Sequence, residues 1–300
     1  MGAVHALDAQ DLLVTGYRCH GFALARGVPP EAVMAELFGR VGGCAHGRGG
    51  SMHLLDVGRG YYGGWGIVAG QIPIATGLAL GLVRQGRPQA VLCELGDGAI
   101  NMGAWHESLN LAAIWRLPVV FLVMNNEYGM GTSVERASAV TDLYRRAAAY
   151  DLPAERVDGD DLLAVAQAAS TFLSDAREDR RAAVLELVTY RYRGHSVADA
   201  GLAYRTRGEI DEHLQHDPIV AVQALLAAEG VTEAEIGEMR AAAKGRVDAS
   251  VAAALASPPP AVSSLASGMY APGSAAQFAR MLPGAPFGER ELVFAGGLGE

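Results

Sequence analysis

The chain has 300 residues, of which half are hydrophobic and 19% are charged, and its formal net charge is −9. This composition is typical of a globular protein with a substantial core, and the acidic balance without a Lys or Arg run argues against binding to nucleic acid. Three widely spaced cysteines predict reduced thiols, and the sequence has neither a long apolar run nor a signal region, so we expect a cytoplasmic protein without a membrane span.

The first distinctive segment is glycine-dense and covers residues 39–70. Glycine permits close backbone approaches but weakens helices and strands, so irregular backbone is predicted here. The aromatic and branched residues within the segment favour a packed loop over disorder. A helix is predicted to follow over residues 71–85.

The middle of the chain alternates short β-branched runs with helical patterns. This alternation predicts an α/β fold with a parallel sheet and helices on both faces. The predicted strands cover 90–95, 119–124, a short stretch near 156–157 and 183–191, and the predicted helices cover 104–115, 139–149 and 160–174.

A helical C-terminal extension is predicted after Pro218, where the sequence becomes rich in alanine. Two helices are expected, and Thr232 with Glu235 forms a capping-box pattern at the start of the second. The SPPP sequence at 257–260 is predicted to end that helix, because proline cannot continue it.

Two polar motifs follow neighbouring predicted strands. Asp97 lies between two glycines after the strand over 90–95, and Asn125 and Asn126 follow the strand over 119–124. Consecutive parallel strands end at the same sheet edge, so these side chains are expected to meet there. Carboxylate, amide and carbonyl oxygens suit a Mg²⁺ ion that also holds phosphate oxygens. Two tight turns without a ligand are the alternative, but the combined pattern favours a metal–diphosphate site.

Five longer motifs carry a family resemblance. With the GDG…NN spacing, they resemble the alpha subunit of the thiamine-diphosphate-dependent decarboxylating component of pyruvate dehydrogenase, in the 2-oxoacid and acetoin dehydrogenase family. The resemblance covers about residues 8–258 and implies a thiamine-diphosphate-binding domain over 1–258, with a linker or disordered tail over 259–300. The motifs are YRCHGFALARG (17–27), GGCAHGRGGSMH (42–53), GGWGIVAGQIP (63–73), NNEYGMGTSVERAS (125–138) and TYRYRGHSVADAG (189–201).

The resemblance also implies roles for individual residues. Mg²⁺ would be bound by Asp97, Asn126 and the carbonyl oxygen of Tyr128, while Asn125 positions the loop. Segment 191–208 is expected to order over the bound cofactor. The implied catalytic residues are His195, Tyr17 and Arg18. The implied cofactor-binding residues are Tyr17, Arg18, Gly66, Val68, Gly96, Asp97, Gly98, Ala99, Asn126, Tyr128 and His195.

The activity implied by the resemblance is the oxidative decarboxylation of pyruvate, with transfer of the acyl group to a lipoyl disulfide. The implied partners are a beta subunit, in a heterotetramer of two alpha and two beta chains, and a lipoyl-bearing acyltransferase component. In such enzymes the carboxylate that activates thiamine comes from the beta subunit, so this chain is expected to be inactive alone. Acetoin or branched-chain 2-oxoacid dehydrogenase alpha subunits are the nearest alternatives.

The sequence departs from the family pattern at three places. Trp65 stands where relatives usually carry Asn, Met102 replaces a usual Gln, and only sixteen residues precede Tyr17. A truncated non-catalytic paralogue is therefore a further alternative. The segment 289–300 faintly resembles the opening of a beta subunit, although an ordinary disordered tail accounts for it as well.

Two other enzyme classes fit the sequence less well. A phosphatase of the haloacid-dehalogenase type also carries GDG followed by Asn or Asp, but it needs an earlier DxDx[TV] nucleophile motif that is missing here. A nucleotide-binding dehydrogenase would need G-x-G-x-x-G after its first strand, and that motif is also missing at this place.

Overall fold

The computed structural model of the chain describes residues 1–265. The chain divides into two compact units, Met1–Pro258 and Pro259–Glu300. Within the second unit, the described residues contain one 3₁₀ turn at Val262–Ser264. The segment 289–300, with its faint likeness to a beta subunit, lies outside the described residues.

Six parallel strands form the main sheet of the first unit, in the order β2-β1-β3-β4-β8-β7. A separate antiparallel hairpin, β5 with β6, follows β4. The strands are β1 (Leu12–Gly16), β2 (Tyr61–Trp65), β3 (Val91–Gly96), β4 (Val119–Asn125), β5 (Tyr128–Gly129), β6 (Thr132–Ser133), β7 (Ala154–Asp158) and β8 (Ala183–Val188).

Helices cover both faces of this sheet, and a helical arm follows at the C-terminal side. The α-helices are α1 (Gly2–His5), α2 (His20–Ala25), α3 (Pro30–Leu37), α4 (Gln71–Arg84), α5 (Gly103–Ile114), α6 (Val134–Ala137), α7 (Leu162–Asp179), α8 (Arg207–Leu214), α9 (Pro218–Ala228) and α10 (Glu233–Ala256). Among residues 1–265, no helix is both long and apolar enough to cross a membrane.

The central strands are apolar on both faces because each face is covered. In β4, Phe121 and Val123 point into a core shared with α4 and α5, whereas Val120 and Leu122 point into a core shared with α2 and α7. All four side chains are fully buried. Continuous apolar runs are characteristic of parallel strands covered on both sides. The predicted α/β fold, with a parallel sheet between helices, is therefore confirmed.

The connection between β3 and β4 determines where the candidate site lies. The two strands are parallel neighbours in register, with Gly96 opposite Met124, and helix α5 forms the crossover between them. Their carboxyl ends therefore meet at one edge of the sheet, and Asp97 and Asn126 are the residues immediately beyond. The two polar motifs, at Asp97 and at Asn126, therefore lie side by side at this edge.

Two secondary-structure predictions need correction. The helix predicted over 139–149 is a 3₁₀ helix over Leu143–Tyr150, and the β-branched Val140 and Thr141 remain outside it. The segment 39–70 is not irregular throughout, because Tyr61–Trp65 forms β2 on β1. Strand β1 itself has no counterpart among the predicted elements.

The predicted C-terminal helices are present as α9 and α10. The capping box is confirmed: Thr232 Oγ1 accepts from the Glu235 N–H at 3.3 Å, and the Glu235 carboxylate accepts from the Thr232 N–H at 2.8 Å. Helix α10 packs against α3 and ends at Ala256, where the Ser257 hydroxyl accepts from the Gly42 N–H at 3.0 Å. Helix α10 and Ser257 therefore hold the start of the glycine-dense segment in place.

Candidate active site

A cavity of about 350 Å³ opens at the carboxyl edge of the sheet, next to β1, β3 and β4. Every predicted site residue lines it except Gly66. Gly66 lies one residue beyond β2, where a Cβ atom would come within 3.0 Å of the His53 ring. The carboxyl-edge location is where open α/β sheets bind their ligands.

Asp97 lies at the base of this cavity, next to the loop that carries Asn126. Its side chain is buried, and burial raises the pKa of the carboxyl, while the N–H groups of Asp97 and Asn126 oppose that shift. A Cβ atom on Gly129 would lie 3.5 Å from Asp97 Oδ2 and 3.8 Å from the Cα of Gly98. Small residues therefore keep the hairpin close to the carboxylate. Residues 1–265 contain no cluster of three or more His, Cys, Asp or Glu able to hold a metal, so a cation here would rely on amide and carbonyl oxygens.

The Asn125–Asn126 pair forms the corner after β4. The side-chain Oδ1 of Asn125 accepts from the Glu127 N–H at 3.1 Å, and that of Asn126 accepts from the Tyr128 N–H at 3.4 Å. Glu127 and Met130 have φ angles of 69° and 57°, which non-glycine residues rarely adopt. The surrounding contacts therefore hold this loop in a demanding conformation, as is common at functional sites.

Arg191 fixes the same loop from the other side. Its guanidinium donates to the Tyr128 carbonyl at 2.8 Å and to the Met130 carbonyl at 2.6 Å, and it contacts the Tyr204 hydroxyl at 2.9 Å. Arg191 is only 9% exposed and lines the cavity. From the sequence, Arg191 is predicted only to belong to segment 191–208, which is expected to order over the cofactor. Its contacts with two loop carbonyls have no signal in the local sequence.

Tyr17, Arg18 and His195 contact one another in the wall of the cavity. Arg18 Nη2 lies 3.2 Å from both His195 Nδ1 and the His195 carbonyl oxygen. Since a guanidinium can only donate, Nδ1 accepts, and a neutral imidazole then carries its proton on Nε2. Burial and the charges of Arg18 and Arg191 lower the pKa of His195. The Tyr17 ring meets the imidazole edge-to-face at 5.9 Å between centroids.

The loop after β8 is folded against the site by Asp199. Its carboxylate accepts from the His195 N–H, the Gly201 N–H and the Tyr204 hydroxyl, each at 2.7 Å. These bonds lower the pKa of Asp199 to about 2. Because Tyr204 also contacts Arg191, one carboxylate links the backbone at His195 to the loop at Tyr128.

Glu36 organises the glycine-dense segment. Its buried carboxylate accepts four backbone N–H groups: Oε2 from Ala45 at 2.8 Å and Gly47 at 2.9 Å, and Oε1 from Gly49 at 2.7 Å and Gly50 at 3.0 Å. Buried carboxylates are stabilised by such N–H donors. Further along, His53 Nδ1 donates to the Gly64 carbonyl at 3.2 Å, so the segment supports the turn at Gly66.

Glu94 is a cavity residue that sequence reasoning missed. It lies in β3, is 5% exposed, and accepts from the Gly16 N–H at 2.8 Å. Burial raises its pKa to about 7, against the opposing effects of that hydrogen bond and of Arg18. A lone carboxylate inside the apolar run VLCEL was the signal that could have identified it.

Trp65 forms part of the cavity wall. Its ring packs on the core next to α4, and Nε1 donates to the Tyr62 carbonyl at 3.3 Å. The indole is therefore held in place by the protein's own backbone, and it takes up room that a smaller residue would leave open.

A second, largely apolar cavity of about 480 Å³ adjoins the first. It is bordered by α1, α7, α9 and α10, and Phe22 and Met124 line both cavities. These two side chains thus form a wall that the candidate active site shares with a larger apolar space.

The fold is that of a dehydrogenase E1 component. The model of that family matches residues 1–263, and the chain belongs to the family, which uses thiamine diphosphate and Mg²⁺. Among curated proteins, the chain is similar to the pyruvate dehydrogenase E1 component subunit alpha of Rhizobium meliloti (strain 1021), with 43% identity over 267 residues. That match covers 88% of this chain and 76% of the relative.

Mitochondrial proteins of the same name are also similar. The somatic form of Homo sapiens is 45% identical over 74% of this chain and 56% of its own length. The protein of Chaetomium thermophilum is 44% identical over 87% of this chain and 63% of its own length. The chain thus spans somewhat more than half the length of these mitochondrial relatives. The expected resemblance to this alpha subunit is confirmed.

Proposed function

We propose that the chain is the alpha subunit of a 2-oxoacid dehydrogenase that decarboxylates pyruvate and transfers the acyl group to a lipoyl disulfide. The observation that carries the proposal is the convergence of Asp97, Asn126 and the Tyr128 loop in one cavity with Arg18 and His195. The names of the similar proteins support pyruvate over the other 2-oxoacids and over acetoin.

The residues present fit a magnesium ion and a diphosphate. Asp97, Asn126 and the Tyr128 carbonyl would hold Mg²⁺, since carboxylate, amide and carbonyl oxygens are its usual protein ligands. A Cβ atom on Gly96 would meet no other described atom within 4 Å, so the backbone at the GDG turn is open to an anion. Gly98 and Ala99 lie in the same cavity wall. When bound, thiamine diphosphate supplies the nucleophile and the electron sink for decarboxylation.

The residues of this chain would bind and orient thiamine diphosphate and would hold a proton beside it. Arg18 and Arg191 place two positive charges at the cavity, which suit a diphosphate or a substrate carboxylate. His195 holds a proton at Nε2 and can donate it to an anionic oxygen. Tyr17 and Val68 line the cavity beside them and would shape the room for cofactor and substrate.

A second chain would complete the site. The family resemblance implies a beta subunit that supplies the activating carboxylate, in a heterotetramer of two alpha and two beta chains. Ile67 and Met130, close to the cavity, are 74% and 65% exposed, which fits a surface covered by a partner. The acyl group would then pass to the lipoyl-bearing acyltransferase component.

Calorimetric titration with thiamine diphosphate tests the cofactor assignment. We expect the wild type to bind only with Mg²⁺ present and Asp97→Ala to lose binding by more than the roughly 10- to 100-fold typical of lost outer-shell contacts. Asp179→Ala, at the exposed end of α7, serves as the control. Wild-type binding that ignores Mg²⁺ would refute the assignment. Pyruvate-dependent CO₂ release with a beta subunit then tests the reaction.

A non-catalytic paralogue is the second candidate, and Trp65 is the observation that favours it. The indole ring lies in the cavity wall where the family pattern has Asn. If Trp65 blocks the cofactor, Trp65→Asn will bind thiamine diphosphate more tightly than the wild type. Equal binding by both chains, with turnover by the wild type, would reject this second candidate.

A further inference from the structure

Glu94 is a buried acid for which the proposed chemistry has no task. It sits in β3 between Cys93 and Leu95, which are both fully buried, and its side chain reaches the cavity. Burying a carboxyl group is costly unless it is hydrogen-bonded. Among the described residues, the one hydrogen-bond partner of this carboxyl is the Gly16 N–H, from which Oε2 accepts at 2.8 Å. The hydrogen bond to the Gly16 N–H is therefore the contact that can explain why Glu94 is buried.

Gly16 is the last residue of β1, and Tyr17 and Arg18 follow it directly. Gly16 lies between two side chains: a Cβ atom there would be 3.5 Å from Glu94 Oε2 and 3.4 Å from Gln71 Nε2. Gln71 in turn donates to the Glu94 carbonyl at 3.1 Å. The chain is thus held where it leaves β1, because the N–H of Gly16 is hydrogen-bonded to Glu94.

We infer that Glu94 is a positioning residue: by accepting the Gly16 N–H, it fixes the turn after β1 and sets where Tyr17 and Arg18 stand in the cavity. The consequence for ligands rests on the proposed function, because Tyr17 and Arg18 are the residues proposed to contact cofactor and substrate. The role requires a hydrogen-bond acceptor of this length and not a negative charge. A glutamine therefore suffices at position 94, and an apolar side chain does not.

Two competing roles for Glu94 predict different results. If Glu94 only fills the core, a methionine of similar length should replace it without loss of ligand binding. Burial lowers the pKa of Arg18, and the charge of Glu94 opposes that shift. If Glu94 acts as the charge partner of Arg18, a glutamine should be as harmful as methionine. The pattern across these variants separates the three roles.

The experiment compares the full-length wild type with Glu94→Gln, Glu94→Met and Glu94→Leu. Leu173→Ala is the matched control, because it opens a cavity in the α7 core away from the site and lowers stability alone. Two quantities are measured: the Kd of thiamine diphosphate with Mg²⁺ by calorimetry, and the hydrogen–deuterium exchange of the peptide that contains Gly16–Arg18. With a beta subunit, KM and kcat for pyruvate are added.

We expect Glu94→Met to raise the Kd about tenfold, the size of effect typical when a buried donor loses its acceptor, and to speed exchange at Gly16–Arg18. The KM for pyruvate should rise more than kcat falls. Glu94→Gln should stay within about threefold of the wild type in every quantity. Leu173→Ala should change neither the Kd nor the exchange at Gly16–Arg18.

The inference is overturned if Glu94→Met binds as the wild type does, or if Glu94→Gln is as defective as Glu94→Met. Glu94→Leu supplies the same comparison if the methionine variant does not fold. If the wild type binds no thiamine diphosphate even with a beta subunit present, the proposed function fails, and exchange alone decides about Glu94. Faster exchange at Gly16–Arg18 in Glu94→Met but not in Glu94→Gln then supports the positioning role, and unchanged exchange refutes it.

Discussion

The side-chain amide of Asn125 is locked by Glu186: Asn125 Nδ2 donates to Glu186 Oε1 at 2.7 Å. The other carboxylate oxygen, Oε2, accepts from the Tyr144 N–H at 2.9 Å. Because Asn125 Oδ1 accepts from the Glu127 N–H, its amide can adopt only one orientation. A fully buried carboxylate on β8 therefore fixes the loop after β4 that carries Asn126.

The first prediction concerns this contact. The two oxygens of Glu186 accept from Asn125 Nδ2 and from the Tyr144 N–H. Glu186→Gln replaces one of these oxygens by an NH₂ group, which cannot accept, so one of the two donors loses its partner. We expect the free energy of unfolding to fall by about 1–3 kcal/mol, and thiamine diphosphate with Mg²⁺ to bind more weakly. Urea denaturation and calorimetry provide the measurements. Glu238→Gln, on the exposed side of α10, is the control, and equal stability of the two variants would contradict the prediction.

The second prediction concerns Arg191. Lysine retains the charge but cannot reproduce the planar fork that donates to two carbonyls at once, so Arg191→Lys should not replace it. Exchange in the peptide that covers 126–133 should become faster in both Arg191→Lys and Arg191→Gln. Each lost charge-assisted bond should cost about 1.5–3 kcal/mol of local stability. Mass spectrometry of the exchanged peptides measures this, with Arg116→Lys as control; wild-type protection in Arg191→Lys would count against the prediction.

The third prediction concerns Glu36, which accepts four N–H groups with two oxygens. Glu36→Gln retains one oxygen and turns an NH₂ group toward two of those donors. We expect a loss of about 1–3 kcal/mol for each donor left without a partner. Thermal unfolding measures the loss, and proteolysis within residues 42–53 reports where it occurs. A melting temperature equal to that of the wild type would show that the loop holds its shape without the carboxylate.

The fourth prediction is a pH dependence that arises from Glu94. Its folded pKa of about 7 lies above the usual glutamate value of 4.5, so between these two pH values the folded chain holds a proton that the unfolded chain has released. Its contribution to stability is full below pH 4.5 and is lost as the pH rises to 7. The unfolding free energy of the wild type minus that of Glu94→Gln should therefore fall as the pH rises across this window. The slope should correspond to the release of at most one proton. A flat difference would contradict the raised pKa.

The parts of the fold that sequence reasoning found are those with clear local patterns. Strand β4 is a continuous apolar run, and β3 is interrupted only by Glu94. Each strand leads into a polar motif, so both their positions and their shared edge could be predicted. Strand β2 was missed because its sequence, YYGGW, contains two glycines and lies in a glycine-dense segment. It is a strand because β1 pairs with it, which is a tertiary effect.

The motifs indicate which residues gather at the cavity, but not which isolated side chains hold those residues in place. Ten of the eleven predicted site residues line one cavity. The roles of Glu36, Glu94 and Glu186 were not predicted, because hydrogen bonds to distant backbone are not encoded in local spacing. A single glutamate inside an apolar stretch was the common signal, since a buried carboxyl must find donors.

The wall shared by the two cavities determines how this site can change. Phe22 and Met124 line both the site and the larger apolar space, and neither contributes its side chain to the hydrogen bonds of the sheet. Smaller residues at these positions would join the two spaces while the strands and the Asp97 loop remain in place. The molecule thus holds a reserve of volume with which the candidate site could be enlarged by one or two substitutions.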